Sequence, residues 1–263
     1  MLKRIFSIII GITFLSQPLL IFAQSANEYL KKAKTAMEQG GFDDVIAYSN
    51  KALELDPKNA EAYLYRGLGT MFKKSNFEQC LRDFTNAIII NPKLAGAYSA
   101  RGGLYTLYMH EYDKAISDYN NAVALEPTNT CYLGDRSKAY LDNRNYDAAI
   151  TDCNKIISLT KYPNNLGAYV LRAEIYSAKG DQGKAWGDIH TAQKSGYLLP
   201  DNIMEELQKT YASAQAYFDR AEIYLQKGKY DLAWADVHKA EELGYKIPAH
   251  FLEKLKKDSG RDK

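Results

Sequence analysis

The sequence predicts an all-α protein, a solenoid of about six antiparallel helix-turn-helix units with extra helices after the fifth and sixth. Three observations predict it. The pairs Arg66-Gly67, Arg101-Gly102, Arg136-Ser137, Arg172-Ala173 and Arg220-Ala221 recur at steps of 35, 35, 36 and 48 residues. Within each half-unit the apolar positions fall three and four apart, the stripe of an amphipathic helix. Proline and glycine punctuate the boundaries between stripes. A two-helix unit of this size cannot bury its apolar face alone, so the units must stack.

The first stretch, 1–23, reads as an address. Lys3 and Arg4 precede an uncharged run of 19 residues, Ile5 to Ala23, and the polar chain begins at Gln24 and Ser25. This is the order of a secretory signal peptide, with cleavage expected after Ala23 or Ser25. The alternative is a retained signal anchor, since a run of that length can just cross a bilayer. Ser16, Gln17 and Pro18 interrupt it, and no cysteine stands near the cleavage point to carry a lipid.

The first unit, 24–59, is the weakest copy, carrying Ala33, Phe42, Val45-Ile46 and Ala52. Units over 60–94, 95–129 and 130–165 follow. Three residues before each Arg stands Tyr63, Tyr98 or Leu133, and four after it Thr70, Tyr105 or Tyr140. Thirteen or fourteen residues after it comes a second block, Cys80-Leu81, Ala115-Ile116 or Ala149-Ile150. Asp56-Pro57, Asn91-Pro92 and Glu126-Pro127 end one helix pair and turn the chain into the next, because proline cannot continue a helix. Gly40-Gly41, Gly180 and Gly228 mark hairpins.

The fifth and sixth units, 166–212 and 213–263, match each other. Ala185-Trp186, Asp188, His190 and Gly196-Tyr197 reappear 48 residues later as Ala233-Trp234, Asp236, His238 and Gly244-Tyr245. Each adds a short helix, over about Asp201–Lys209 and Ala249–Lys257. The second is amphipathic and is expected to cap the stack, with Asp258 to Lys263 frayed.

This pattern of aromatic, small residue, Tyr, Ala, aromatic, Ala and Pro resembles the tetratricopeptide repeat. The third unit carries it most fully, in Tyr98, Gly102, Tyr105, Tyr112, Ala115, Tyr119, Ala122 and Pro127. The resemblance runs from Ala26 to Gly244 and accounts for most of the 21 tyrosines. It implies a right-handed superhelix whose first helices line a concave face that binds protein partners.

Composition and motifs exclude other classes. With Lys3 and Arg4 set aside, 32 basic residues balance 32 acidic ones, and no basic cluster stands out to hold nucleic acid. No nucleophile–base pattern, phosphate loop, HExxH or Cys/His ligand spacing occurs, so neither a catalytic residue, a cofactor, a metal nor a small-molecule substrate is expected. His190 and His238 share a repeat position but stand 48 residues apart, too far to suggest a shared ion. Cys80 and Cys153 fit core positions, and a bond from Cys131 to Cys153 is opposed by their different helix levels. Each Arg has an Asp 16 or 17 residues on: Asp83, Asp118, Asp152, Asp188 or Asp236. These are either register-setting ion pairs between helices or a ladder of charged ligand contacts.

On the concave face implied by the resemblance, the candidate partner-binding residues are Leu64, Leu68, Met71, Phe72, Gly103, Leu107, Lys138, Glu174, Phe218 and Glu222. Gly96, Ser99, Gly103, Gly134 and Gly167 make its centre bare, open to close approach by a ligand or a neighbouring helix. The Lys and Asn arrangement of the family's carboxylate clamp is absent, since Leu64, Leu68, Ser99 and Gly103 stand there. The expected function is a non-catalytic scaffold or adaptor binding a protein or peptide segment, exported to a periplasm or outside the cell. Membrane contact is expected only through an uncleaved anchor. The alternative is a self-associating structural component of an envelope assembly.

Overall fold

The computed structural model describes residues 25–161, 165–194 and 214–260. The leader over 1–23 and the short helix expected over 201–209 lie outside the described residues. Every regular element among the described residues is helical. The chain divides into two compact units, Met1–Asn145 and Tyr146–Lys263.

The N-terminal unit contains α1 over 25–38, α2 (Phe42–Leu55), α3 (Ala60–Phe72), α4 (Phe77–Ile90), α5 (Ala95–Leu104), α6 (Tyr112–Leu125) and α7 (Thr130–Asp142). Consecutive helices pack on one another from α2 to α7, and α3, α5 and α7 also pack side by side. The ends follow from local chemistry. Asp56, Asn91 and Glu126 close α2, α4 and α6 by donating their backbone N–H to Ala52, Ala87 and Ala122, and the following proline prevents continuation. Asn59, Asn76 and Asn129 open α3, α4 and α7, each side chain accepting a backbone N–H of the first turn.

The distance from Arg to the second block explains one irregularity. It is 14 residues from Arg66 to Cys80 and from Arg101 to Ala115, against 13 from Arg172 to Ala185 and from Arg220 to Ala233. After Arg66 the added residue goes into the link between α3 and α4. After Arg101 it is absorbed within the helix, where Tyr105–Met109 forms a π-turn ending at His110 with φ 55°.

The C-terminal unit contains α8 (Tyr146–Leu159), α9 (Leu166–Lys179), α10 (Gln182–Lys194), α11 (Ala214–Gln226), α12 (Tyr230–Glu242) and α13 (Ala249–Ser259). Its pairs are α8 on α9, α9 on α10 and α11 on α12, with α10 also meeting α11. Helix α13 covers the end of α11–α12, burying Phe251 and Leu255 against Trp234, Val237 and Phe218. It runs two residues beyond the expected Lys257. Asp258 and Ser259 are helical, not frayed, because the Ser259 hydroxyl accepts the Trp234 Nε1–H at 3.2 Å.

Within the hairpins, a small residue on the first helix faces a larger one on the second. A Cβ added to Gly67 would lie 2.6 Å from Phe84 Cε1, and one added to Gly102 3.0 Å from Tyr119 Cε1. Ala173 packs in one cluster with Ile189, and Ala221 in one with Val237. This complementarity, more than helix propensity, explains the residue after Arg66, Arg101, Arg172 and Arg220.

Candidate functional site

The arginine column is interior. Arg66 Nε and Nη2 donate to Asp83 at 2.9 and 2.7 Å, and Arg101 repeats the fork on Asp118 at 2.8 Å for both bonds. Arg172 grips Asp188 in the same way at 2.7 and 2.6 Å, and Arg220 grips Asp236. The four carboxylates are buried and saturated by guanidinium. These pairs therefore set helix register and offer no free charge to a ligand. Arg136 and Asp152, the fifth expected pair, fall in different compact units.

The tyrosine three residues earlier has a defined role. The guanidinium lies 5.3 Å from the Tyr63 ring at Arg66, 5.3 Å from Tyr169 at Arg172 and 4.9 Å from Tyr217 at Arg220. Where Leu133 replaces the tyrosine, Arg136 lies over Tyr140 instead, at 5.9 Å.

A second column was not foreseen. The remaining nitrogen, Nη1, reaches the second helix of the preceding hairpin. Arg66 donates to Asn50 at 3.0 Å, Arg101 to Thr85 at 3.2 Å and Arg136 to Asn120 at 2.9 Å, and Arg172 donates to Asn154. Arg66, Arg101 and Arg172 thus tie their own hairpins together and link each to the helix before it. The signal in the sequence is a polar acceptor two residues after each Asp: Thr85 after Asp83, Asn120 after Asp118, Asn154 after Asp152.

The predicted groove residues do not come together as one surface. Leu64 and Met71 are core, packed with Cys80, Phe84, Ala97 and Leu104. The cause is α5, which packs across α3 and places bare Gly96 within 3.4 Å of Leu64 Cδ2, counted from a built Cβ. Leu68 is half-buried against the same cluster. Phe218 is also core, its ring 5.0 Å from Tyr245 and 5.1 Å from Phe251, because α13 covers it. Lys138 and Glu174 are exposed, Gly103 and Glu222 half-buried. Phe72 and Leu107 are 52% and 64% exposed.

The glycines of the bare centre differ from those at the hairpin crossings. Gly67, Gly69 and Gly102, outside that centre, stand against close side chains, whereas a Cβ at Gly167 within it would meet nothing within 4 Å. Gly96 and Gly103 border a polar strip instead, their built Cβ atoms 3.7 Å from the hydroxyls of Tyr132 and Tyr119 respectively. Ser99 donates to Asp135 Oδ2 at 3.4 Å in the same strip. Asp135 is exposed, yet enough protein surrounds its carboxyl that desolvation raises its pKa, against the lowering effect of the Ser99 hydrogen bond. Burial, followed by the nearby Asp135 charge, raises the Tyr119 hydroxyl as well.

Comparison with known proteins agrees with this geometry. The family model described as "Tetratricopeptide repeat" matches residues 101–166, and a second with the same description matches 214–243. Those two segments are tetratricopeptide repeats. Solved structures share its fold at low identity. The Pseudomonas aeruginosa pilF protein aligns over 91% of this chain and 98% of its own, with a TM-score of 0.61 and 13% identity. MamA from Desulfovibrio magneticus RS-1 aligns over 65% of this chain and 94% of its own, with a TM-score of 0.57 and 15% identity. A thermophilic repeat protein of Thermus thermophilus aligns over 65% of this chain and 91% of its own, with a TM-score of 0.53 and 15% identity. No curated protein sequence matches the chain. At these identities the likeness concerns fold.

Proposed function

We propose that this repeat protein is a non-catalytic interaction scaffold that holds an apolar segment of another protein across α3 and α5. One observation carries the reading. Phe72, the last residue of α3, and Leu107, in the π-turn that continues α5, each stand six residues after a repeated Arg and are 52% and 64% exposed. Phe72 stacks one ring face on Phe42 at 5.1 Å and leaves the rest of its ring exposed, and together with Leu107 on the packed neighbour it suits the spaced anchors of a bound peptide or helix. Half-buried Leu68 and Gly103 flank them. Leu64, Met71 and Phe218, being core, drop out of the contact surface, while Lys138 in the N-terminal unit and Glu174 and Glu222 in the C-terminal unit remain candidates for polar contacts, each within its own unit.

The leader over 1–23 supports export to a periplasm or beyond the cell, with a signal anchor as the alternative. The unit boundaries at 59/60, 94/95 and 129/130 suit the helix breaks seen at Pro57, Pro92 and Pro127.

The test places a photo-crosslinking amino acid singly at Phe72, at Leu107 and, as a control, at exposed Arg82. The same partner captured at the first two sites and not at Arg82 is the expected result. Capture of only a second copy of this chain transfers the surface to the self-association reading. No crosslink above the Arg82 level removes the site.

A further inference from the structure

We propose that α10 and α11 carry a site for one divalent transition-metal ion of the zinc class, built from His190, Asp219 and Glu222. One ligand atom from each of the three lies within 4.8 Å of the others. An imidazole nitrogen with two carboxylates is a donor set for zinc, cobalt or nickel rather than for calcium or magnesium, which favour oxygen alone. Asp219 and Glu222 stand three residues apart and so project from one face of α11. His190 comes from α10, and the two helices share a core of Ala185, Trp186, Ile189, Ala216 and Ile223.

The surroundings support metal coordination. Asp219 is 7% exposed, and both of its described donors are neutral: Gln215 Nε2 to Oδ1 at 2.6 Å, and Trp186 Nε1 to Oδ2. Each carboxylate oxygen keeps a lone pair while its direction is fixed, the outer-shell arrangement that orients metal-binding carboxylates. Trp186 lies one turn before His190 on α10, so the indole and the imidazole approach Asp219 from the same helix.

The repeat pattern isolates this junction. His190 occupies the position of Asn50, Thr85, Asn120 and Asn154, which accept the Nη1–H of the next arginine. At this junction the next arginine, Arg220, bonds Asp236 through Nε and Nη2. The neutral acceptor is replaced by a basic metal-ligand side chain, and carboxylates face it from the following helix. His238, the matching residue, precedes α13 and lies against Trp234, its ring centroid 5.8 Å away. A zinc ion at about 2.0–2.2 Å from each ligand atom would draw the three inward and staple α10 to α11, leaving a coordination position open.

The experiment uses the full chain, stripped with chelator and titrated with Zn2+ by calorimetry, with Co2+ absorption as a second probe. Expected is one equivalent of zinc, the visible bands of a Co2+ site and a zinc-dependent rise in melting temperature. His190→Asn installs the residue that Asn50, Asn120 and Asn154 supply elsewhere, so the helix keeps a side chain already used there. It is expected to weaken zinc at least 10-fold and to lose the zinc-dependent melting shift. Glu222→Gln is expected to weaken zinc similarly. Failure of the unaltered chain to bind one equivalent overturns the site, and so does binding that both variants leave unchanged.

Discussion

Arg66 and Asp83 are joined by two hydrogen bonds across the α3–α4 hairpin, with the carboxylate fully buried and the guanidinium side chain 22% exposed. That asymmetry makes the two deletions unequal. Arg66→Ala leaves a charged carboxylate in the core and is expected to destabilise by ~3–5 kcal/mol. Asp83→Ala leaves a guanidinium that can turn to solvent and still reach Asn50, so a smaller loss of about 1–3 kcal/mol is expected. Urea unfolding of both variants checks the order. Equal losses would show that the pair acts only through packing.

The glycines separate cleanly. Gly67→Ala would drive a methyl to within 2.6 Å of the Phe84 ring, so it is expected to destabilise by about 1–3 kcal/mol although alanine is the better helix former. Gly187→Ala, on exposed α10 surface with nothing within 4 Å of the new Cβ, is expected to stabilise by about 1 kcal/mol. Combining Gly67→Ala with Phe84→Leu should recover part of the first loss, as read by thermal melting.

Hairpin links share one backbone requirement met by different residues. Lys74, His110 and Arg144 follow α3, the π-turn and α7 with φ of 52°, 55° and 58°, where Gly180 and Gly228 take 86° and 67°. A side chain in that region costs about 1–2 kcal/mol relative to glycine, part of which glycine's looser unfolded state returns. Lys74→Gly and Arg144→Gly are each expected to raise stability by about 1 kcal/mol, and Gly180→Lys to lower it by a similar amount. Unchanged melting temperatures would mean that these links relax freely.

The repeated Arg and Asp were legible because both ends of the pair keep their identity at fixed spacing. The acceptor column was not, because Asn50, Thr85, Asn120 and Asn154 share a function and not a residue type. The π-turn left its trace in the spacing of 14 rather than 13 residues, but spacing alone does not say whether a link or a helix absorbs it. Burial of Leu64, Met71 and Phe218 depends on what neighbouring helices place over them, and no single-helix pattern contains that. The His190, Asp219 and Glu222 group joins side chains 29 and 32 residues apart through packing of α10 on α11.

The three cysteines give a direct measure of whether these cores stay closed. All are free thiols, Cys131 exposed and Cys80 and Cys153 buried. Cys80 sits beneath the α3–α4 crossing, where burial, and secondarily the Asp83 charge, push its thiol up to about 11. At pH 8 its reactive thiolate is therefore scarce even when a reagent reaches it. One thiol, Cys131, is expected to react promptly with a disulfide reagent in the native chain, and all three in denaturant. Cys131→Ser should abolish the prompt phase. A second prompt thiol that survives this substitution would mean that a hairpin opens on the timescale of the reagent, and if it is Cys80 the closed packing around the Arg66–Asp83 pair would have to be abandoned.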